Sequence, residues 1–270
     1  MQVIGICRFS YPALGGFQVE HDSQAARAAY LYDPARMEDR FRTFEGFTLP
    51  ALRAQTDPDF TLVIVVGDDI PDTYGNRLWD LTQDLPQVVI RQYPPAPHRE
   101  VMQRAINSVR DMGRISLQFR LDDDDAVAVD FVARLRSEAA ARRDQLKGQR
   151  HMALDFRDGY IAAPGPMGIA ARPTDQRLMT AALAVAFEPR VRSTVMNFSH
   201  VRLPRFMTCH DIRTDAARPM YVRGHNLWND SRQGAGIAPE ELAPLDADGR
   251  ALFRNRFAID EDHIRRLFTA

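Results

Sequence analysis

The segment Phe60-Thr-Leu-Val-Ile-Val-Val66 constrains the fold more than any other stretch of this 270-residue chain. It is continuously apolar, so it is not a half-exposed strand, and it is too short for an ordinary helix. A strand of this kind is buried on both faces, as in a parallel sheet with helices packed on each side. The rest of the first half agrees, because short apolar runs alternate with longer amphipathic ones in the manner of βαβ units. Val3 to Cys7 predicts a first strand. Met37 to Gln55 carries Met37, Phe41, Phe44, Leu49 and Leu52 at helical spacing and predicts one broken helix or two short ones, with Thr48 as a cap and Pro50 in a first turn. Thr73 to Leu81 reads as a helix, and Gln87 to Tyr93 as a strand stopped by Pro94, Pro95 and Pro97. His98 to Met112 reads as a helix with Val101, Met102, Ala105, Ile106 and Val109 on one side, and Ile115 to Leu121 as a fourth strand.

Asp130 to Leu146 predicts another helix, and His151 to Ala163 a hairpin around Asp158-Gly159, since Met152, Leu154 and Phe156 alternate. From Pro164 the rhythm weakens. A helix is expected from Asp175 to Phe187, then loops and short strands through Tyr221, and a last helix from Asp260 to Phe268. The expected class is α/β: a Rossmann-like, mostly parallel sheet flanked by helices over residues 1–163, continuous with a less regular part over residues 164–270.

Charge and residue usage exclude several functions. Lys+Arg 35 against Asp+Glu 36 gives a net charge of -1, so no global field favours nucleic acid or an anionic membrane, although a local patch and peripheral membrane contact stay open. Lys147 is the one lysine, which removes the P-loop, the Ser-x-x-Lys nucleophile and the kinase lysine. Arginine must therefore handle anions here. Two cysteines, Cys7 and Cys209, form neither a zinc site on their own nor a disulfide framework, and they fit a reducing, cytoplasmic compartment. The start of the chain has only a short apolar run before Arg8, unlike a signal peptide, and no apolar stretch approaches the roughly 18 residues of a membrane span.

The predicted fourth strand runs straight into Asp122-Asp123-Asp124-Asp125. In an open α/β sheet, ligands bind outside the carboxyl ends of the strands. Four like charges there cost free energy unless a cation neutralises them. Carboxylates spaced as Asp-x-Asp hold one Mg²⁺ or Mn²⁺ and leave positions open for phosphate oxygens. The bland alternative is an acidic turn in which Asp125 or Asp130 caps the next helix. An EF-hand is poorly supported, because Val127 and Ala133 stand where glycine and glutamate are required.

The order of these elements resembles the glycosyltransferases of the GT-A fold. It is carried by Leu49-Pro50-Ala-Leu52-Arg-Ala-Gln55-Thr56, strand Leu62 to Val66, Asp68-Asp69 and Arg120-Leu-Asp-Asp-Asp-Asp125. The block Arg40-Phe41-Arg-Thr-Phe44 and the segment Tyr221-Val-Arg-Gly-His225-Asn226-Leu-Trp-Asn229-Asp-Ser231 resemble, more narrowly, a bacterial rhamnosyltransferase family. The resemblance implies a nucleotide-sugar donor, a glycan or other hydroxyl acceptor, and Mn²⁺ or Mg²⁺ as cofactor. It places Asp122 and Asp124 at the metal with Asp125 extending the motif, while a frame on Asp123 and Asp125 reads equally well. Asp68 or Asp69 falls where such enzymes contact the base or ribose, against a plain helix cap ahead of Pro71. Arg8 and Arg104 are candidates for the diphosphate, and His225 for the metal shell or the diphosphate, with Gly224 allowing close approach. The alternative for His225 is a loop histidine bonded to Asn226 or Asn229. Trp228 is either a wall for the acceptor sugar or core. For inversion the resemblance points to Asp211 as base, with Glu188 and Asp175 in competition.

Two other readings remain open. Asp123-Asp124-Asp125-Ala126-Val127 also fits a haloacid-dehalogenase-type phosphatase with Asp123 as nucleophile, although that motif normally follows the first strand. An inactive carbohydrate-binding protein of the same fold would be expected to have lost its acidic ligands.

Overall fold

The computed structural model describes residues 1–16, 21–215, 217–226, 228 and 240–269. The first part runs β1 (Gln2–Arg8), α1 (Gln24–Leu31), α2 (Pro34–Thr43), a π-helical turn (Phe44–Thr48), α3 (Leu49–Arg53), β2 (Thr61–Gly67), α4 (Asp72–Thr82), β3 (Val88–Tyr93), α5 (His98–Asn107) and β4 (Ser116–Arg120). It continues through β5 (Ala126–Val127), α6 (Phe131–Ala141), α7 (Arg143–Gln149), β6 (His151–Phe156), β7 (Gly159–Gly165), β8 (Gly168–Thr174) and β9 (Leu183–Phe187). Two 3₁₀ segments, Val195–Asn197 and His200–Arg205, precede β10 (Cys209–Ile212), β11 (Tyr221–Gly224), β12 (Ala243–Pro244), α8 (Ala247–Phe257) and α9 (Glu261–Thr269).

A seven-stranded sheet has the order β10-β6-β9-β4-β1-β2-β3. Strands β1, β2, β3 and β4 are parallel, and β9 alone runs against its neighbours β4 and β6. The mostly parallel α/β architecture is the expected one. In β2, Leu62, Ile64 and Val66 enter the core on one face of the sheet and Val63 and Val65 that on the other, which is why the run is continuously apolar. One face packs on Phe41, Phe44, Phe47 and Phe131, and the other on Val101, Met102, Ala105 and Ile106 of α5. From β1 the chain builds outward through β2 and β3, then returns to place β4 on the other side of β1. The reversal opens a crevice at the carboxyl ends of β1 and β4.

Several expectations are corrected. Asp175 to Phe187 is not a helix: residues 183–187 form β9, wholly buried between β4 and β6. Leu-Ala-Val-Ala-Phe satisfies either period, and the sheet position decides. Strands β6 and β7 exist but do not form a hairpin, because they belong to different sheets. β7 instead pairs antiparallel with β8 and parallel with β11 in a five-stranded sheet, β12-β8-β7-β11-β5. The division at residue 163 therefore falls inside β7, and each sheet takes strands from both halves of the chain. Thr48 is no cap: its backbone is helical, and α2, the π turn and α3 form one nearly continuous helical run. α5 ends at Asn107, short of Met112. α1, capped by Ser23 Oγ accepting from Ala26 N, and α8 had no expected counterpart.

Two predictions follow from the packing. A Cβ on Gly5 of central strand β1 would lie 2.6 Å from Phe119 Cζ and 2.7 Å from Leu62 Cδ1. Phe119 cannot yield, since its ring packs edge-on against Phe131 at 5.1 Å. Gly5→Val should therefore lower the thermal midpoint, by about 1–3 kcal/mol of overpacking strain. Asp155 on β6 is wholly buried: Oδ2 accepts from Leu178 N at 2.8 Å, and Oδ1 has no partner among the described residues. Burial, with Asp211 opposite it on β10, pushes its carboxyl up to about 6. A raised carboxyl pKa contributes stability that is complete below the unfolded value near 4 and is lost as pH rises through 6. The midpoint of Asp155→Asn relative to the natural protein should therefore be higher at pH 8 than at pH 5, as followed by thermal unfolding.

Candidate functional site

β4 delivers the acidic run to the crevice. Leu121 N donates to Ile6 O at 3.1 Å, carrying β1's pairing past the end of β4, and Asp125 N donates to Asp122 O at 3.1 Å, which closes a turn. Asp122 is exposed, whereas Asp123, Asp124 and Asp125 are buried. Acceptor oxygens of Asp122, Asp124 and Asp125 lie within 4.8 Å of one another. Asp123 lies outside that group, with Oδ1 2.8 Å from Arg40 Nη1.

The run is held from three elements distant in sequence. Arg40 on α2 also lies 3.8 Å from Asp124 Oδ2. Burial works against its charge, but Asp123, Asp124 and Asp122 outweigh that and hold its pKa above the ordinary value. From the π turn, Thr48 Oγ1 donates to Asp125 O at 2.8 Å. From β11, Gly224 N donates to Asp125 Oδ1 at 2.9 Å, and Asn226 Nδ2 donates to Asp124 Oδ2 at 2.8 Å. Asn226 Oδ1 accepts from Trp228 N at 2.8 Å, so this amide ties the acidic turn to the following chain. Gly224 has no room for a side chain, since a Cβ there would sit 2.1 Å from Asp124 O.

Asp125 Oδ2 and Asp123 Oδ2 are buried without a hydrogen-bond partner among the described residues. Burial raises both carboxyls, Asp123 to about 6 and Asp125 well above the usual range, with Asp124 adding to each. Removing a buried, unpartnered carboxylate oxygen from water is costly. The oxygen donor set suits a hard divalent cation. Neither Asp125 nor Asp130 caps α6, which has no side-chain cap; Asp130 instead accepts from Arg256 Nη2 at 2.8 Å.

The acidic run faces a cleft of about 380 Å³ lined by Arg8, His98, Arg120, Thr180, His200 and Arg223 among others. Arg8 stands at the end of β1, with Nη1 3.1 Å from Gly16 O. Burial, Arg8 and Arg120 push His98 down to about 3, and burial with Arg120 and Arg223 lowers His200, so both imidazoles are neutral at pH 7. Arg120 Nη2 donates to Val195 O at 2.9 Å and Phe198 O at 2.6 Å, fixing the segment that leads to His200.

The other expected site residues are placed as follows. Asp68 and Asp69 are exposed at the end of β2, beyond the lining of this cleft, and Asp69 Oδ1 accepts from Tyr32 Oη at 2.8 Å. Neither caps α4. Arg104 is exposed on α5, on the side away from Met102, which lines the cleft. His225 follows β11 with its N–H donated to Ala162 O at 2.8 Å, and its ring is not part of the converging oxygen group. Trp228 is half-buried with its ring 6.2 Å from that of Tyr30. Residues 227 and 229–231 of that segment, including Asn229, lie outside the described residues.

Asp211 lies apart from the acidic run. It sits on edge strand β10, separated from β4 by β6 and β9, a distance of about 14 Å at sheet spacing. There it pairs with Arg157 Nη1 at 3.1 Å and Arg177 Nε at 3.2 Å. Glu188 and Asp175 are likewise not among the cleft-lining residues: Glu188 pairs with Arg143, and Asp175 with Arg213. Arg40, Thr48, His98, Arg120, His200, Arg223 and Asn226 were missed as site residues. Arg40 and Asn226 lie in the two segments that carry the family resemblance, and that was the one signal available for them.

The chain matches the family described as "Putative rhamnosyl transferase" over residues 2–237. No curated protein matches it in sequence. Similar solved structures include S. aureus TarS 1–349 in complex with UDP-GlcNAc, at 11% identity and a TM-score of 0.45, covering 99% of this chain and 70% of that one. They also include the same protein in complex with UDP, at 10% identity, TM-score 0.43, and coverage of 83% and 61%. A third is described as a "putative nucleotide-diphospho-sugar transferase" from Desulfovibrio desulfuricans G20, at 12% identity, TM-score 0.35, and coverage of 99% of both chains. The chain spans 60% of the length of a further TarS 1–349 structure. With the family match extending over most of its residues, the chain belongs to the putative rhamnosyl transferase family.

Proposed function

We propose that the protein is a divalent-cation-dependent glycosyltransferase that moves a sugar, rhamnose, from a nucleoside-diphosphate donor to a hydroxyl of a glycan or similar acceptor. The observation that carries this reading is the convergence of Asp122, Asp124 and Asp125, with the buried oxygen Asp125 Oδ2 unpartnered among the described residues, beside a cleft to which Arg8, Arg40, Arg120 and Arg223 contribute. An anion-binding cleft has no use for a carboxylate cluster unless a cation joins the two.

Asp122, Asp124 and Asp125 are the ligands in this proposal, and either Mn²⁺ or Mg²⁺ suits all-oxygen ligation. When bound, the cation neutralises charge that grows on the departing diphosphate. Arg8 and Arg223 meet the diphosphate oxygens from two sides, as planar forks suited to phosphate. His98 and His200 are neutral at pH 7 and donate or accept single hydrogen bonds. Thr180, Met196 and His200, all from the second half of the chain, border the acceptor side. Asp123 and Arg40 take no part in the chemistry; their ion pair anchors the turn that presents the three ligands. Asp68 and Asp69, one strand further along, are kept for the nucleoside end of the donor. The phosphatase reading needs Asp123 as an exposed nucleophile, and this carboxylate is wholly buried against Arg40.

Isothermal titration with a nucleoside diphosphate in Mn²⁺ should give an affinity that is lost on chelation and in Asp124→Ala. It should fall roughly 10- to 100-fold in Gly224→Ala, the range for disturbing a residue that orients metal ligands. Equal affinity in all samples, or turnover of a phosphomonoester inhibited by beryllium fluoride, would overturn the reading. Asp211→Asn should keep sugar transfer within about 2-fold, since it is a surface change away from the site. A loss of kcat by orders of magnitude there would restore Asp211 as a base.

A further inference from the structure

Between Glu188 and Asp211 the chain has no acidic residue but carries Arg190, Arg192, Arg202 and Arg205. All four arginines are exposed, and none has an ion-pair partner among the described residues. Exposed arginines elsewhere include ones paired with nearby carboxylates, as Arg53, Arg213 and Arg254 are, but this stretch offers no carboxylate of its own. Two large apolar side chains stand among them: Val201 is 64% exposed and Phe206 58%.

The ledge that bears these groups is built to stay in place. Leu203 is buried beneath it. The Phe206 ring lies 5.7 Å from Phe198, which stacks on His151 at 5.4 Å and on Phe187 at 6.5 Å. Arg120 clamps the Val195 and Phe198 carbonyls. The first residue of the ledge, His200, lines the cleft. The exposed face therefore begins at the rim of the site.

We infer that the ledge Val201-Arg202-Leu-Pro-Arg205-Phe206 seats the protein on an anionic membrane surface, with the cleft opening beside it. An acidic protein or a nucleic acid would satisfy the arginines but leave Val201 and Phe206 in water. An anionic bilayer satisfies both, because its headgroups meet the guanidinium groups and its acyl boundary takes the apolar pair. Two inserted side chains and a few arginines give reversible peripheral attachment. No helix among the described residues is long and apolar enough to cross a membrane. The inference is independent of the donor chemistry proposed above.

The test is co-sedimentation of the full chain with vesicles of phosphatidylcholine alone and of phosphatidylcholine with phosphatidylglycerol. The protein should partition onto the anionic vesicles only, and less as salt rises. Arg202→Gln with Arg205→Gln should reduce that partition roughly 30-fold. Val201→Ser with Phe206→Ser should reduce it several-fold at every salt concentration. A control of equal charge change elsewhere, Arg114→Gln with Arg266→Gln, should leave it within about 2-fold. Indifference to lipid charge, no binding, or equal losses in the control would overturn the inference. Serine variants that bind like the natural protein would also overturn it, by showing a general polyanion surface. Nucleoside-diphosphate binding by each variant reports on folding and on the proposed function separately.

Discussion

A turn of four consecutive aspartates, three of them buried, is the constraint around which this molecule is arranged. Left alone, such a turn would swing into water. It is held by groups that the chain brings from far away: the Arg40 guanidinium, the Thr48 hydroxyl, the Gly224 amide and the Asn226 carboxamide. Between them they hold Asp123, Asp124 and Asp125 in place, and acceptor oxygens of Asp122, Asp124 and Asp125 come within 4.8 Å of one another.

That arrangement explains features that look unrelated. The helical run after α1 passes through a π turn, which places Thr48 against the acidic turn; π turns often appear where a helix is adjusted to serve a site. The second sheet exists in part to bring β11 beside β5, so that Gly224 and Asn226 reach the acidic turn. Gly224 is glycine because the Asp124 carbonyl occupies the place of a side chain. Stability is given up in the process, since buried carboxylates raised towards neutrality are a cost that folding must offset elsewhere.

The cleft divides its labour by sign. Carboxylates stand at the end of β4, and cations come from β1, α2, β4 and β11 with a histidine from α5 and another from the ledge. The arginines remain charged whatever is bound, while burial keeps the imidazoles neutral. The same ledge that presents His200 inward presents Val201 and Phe206 outward, so donor site and surface attachment share one rigid segment.

The sequence by itself determined the parallel sheet and the location of the acidic run at its carboxyl edge. Both depend on local signals: a continuously apolar strand such as Leu62 to Val66 has few ways to be buried, and a charged run directly after such a strand has few places to go. Arg8 was legible for the same reason, as the residue that ends β1. Only the tertiary structure decided the rest. Residues 183–187 fit a helix or a strand equally, and the open slot between β4 and β6 chose. Asp211 satisfied the expected order along the chain, yet β10 pairs at the far edge of the sheet and leaves it among arginines. Which aspartate oxygens converge could not be read from four identical letters. Arg40 holds Asp123 and Gly224 holds Asp125 across separations of more than eighty residues.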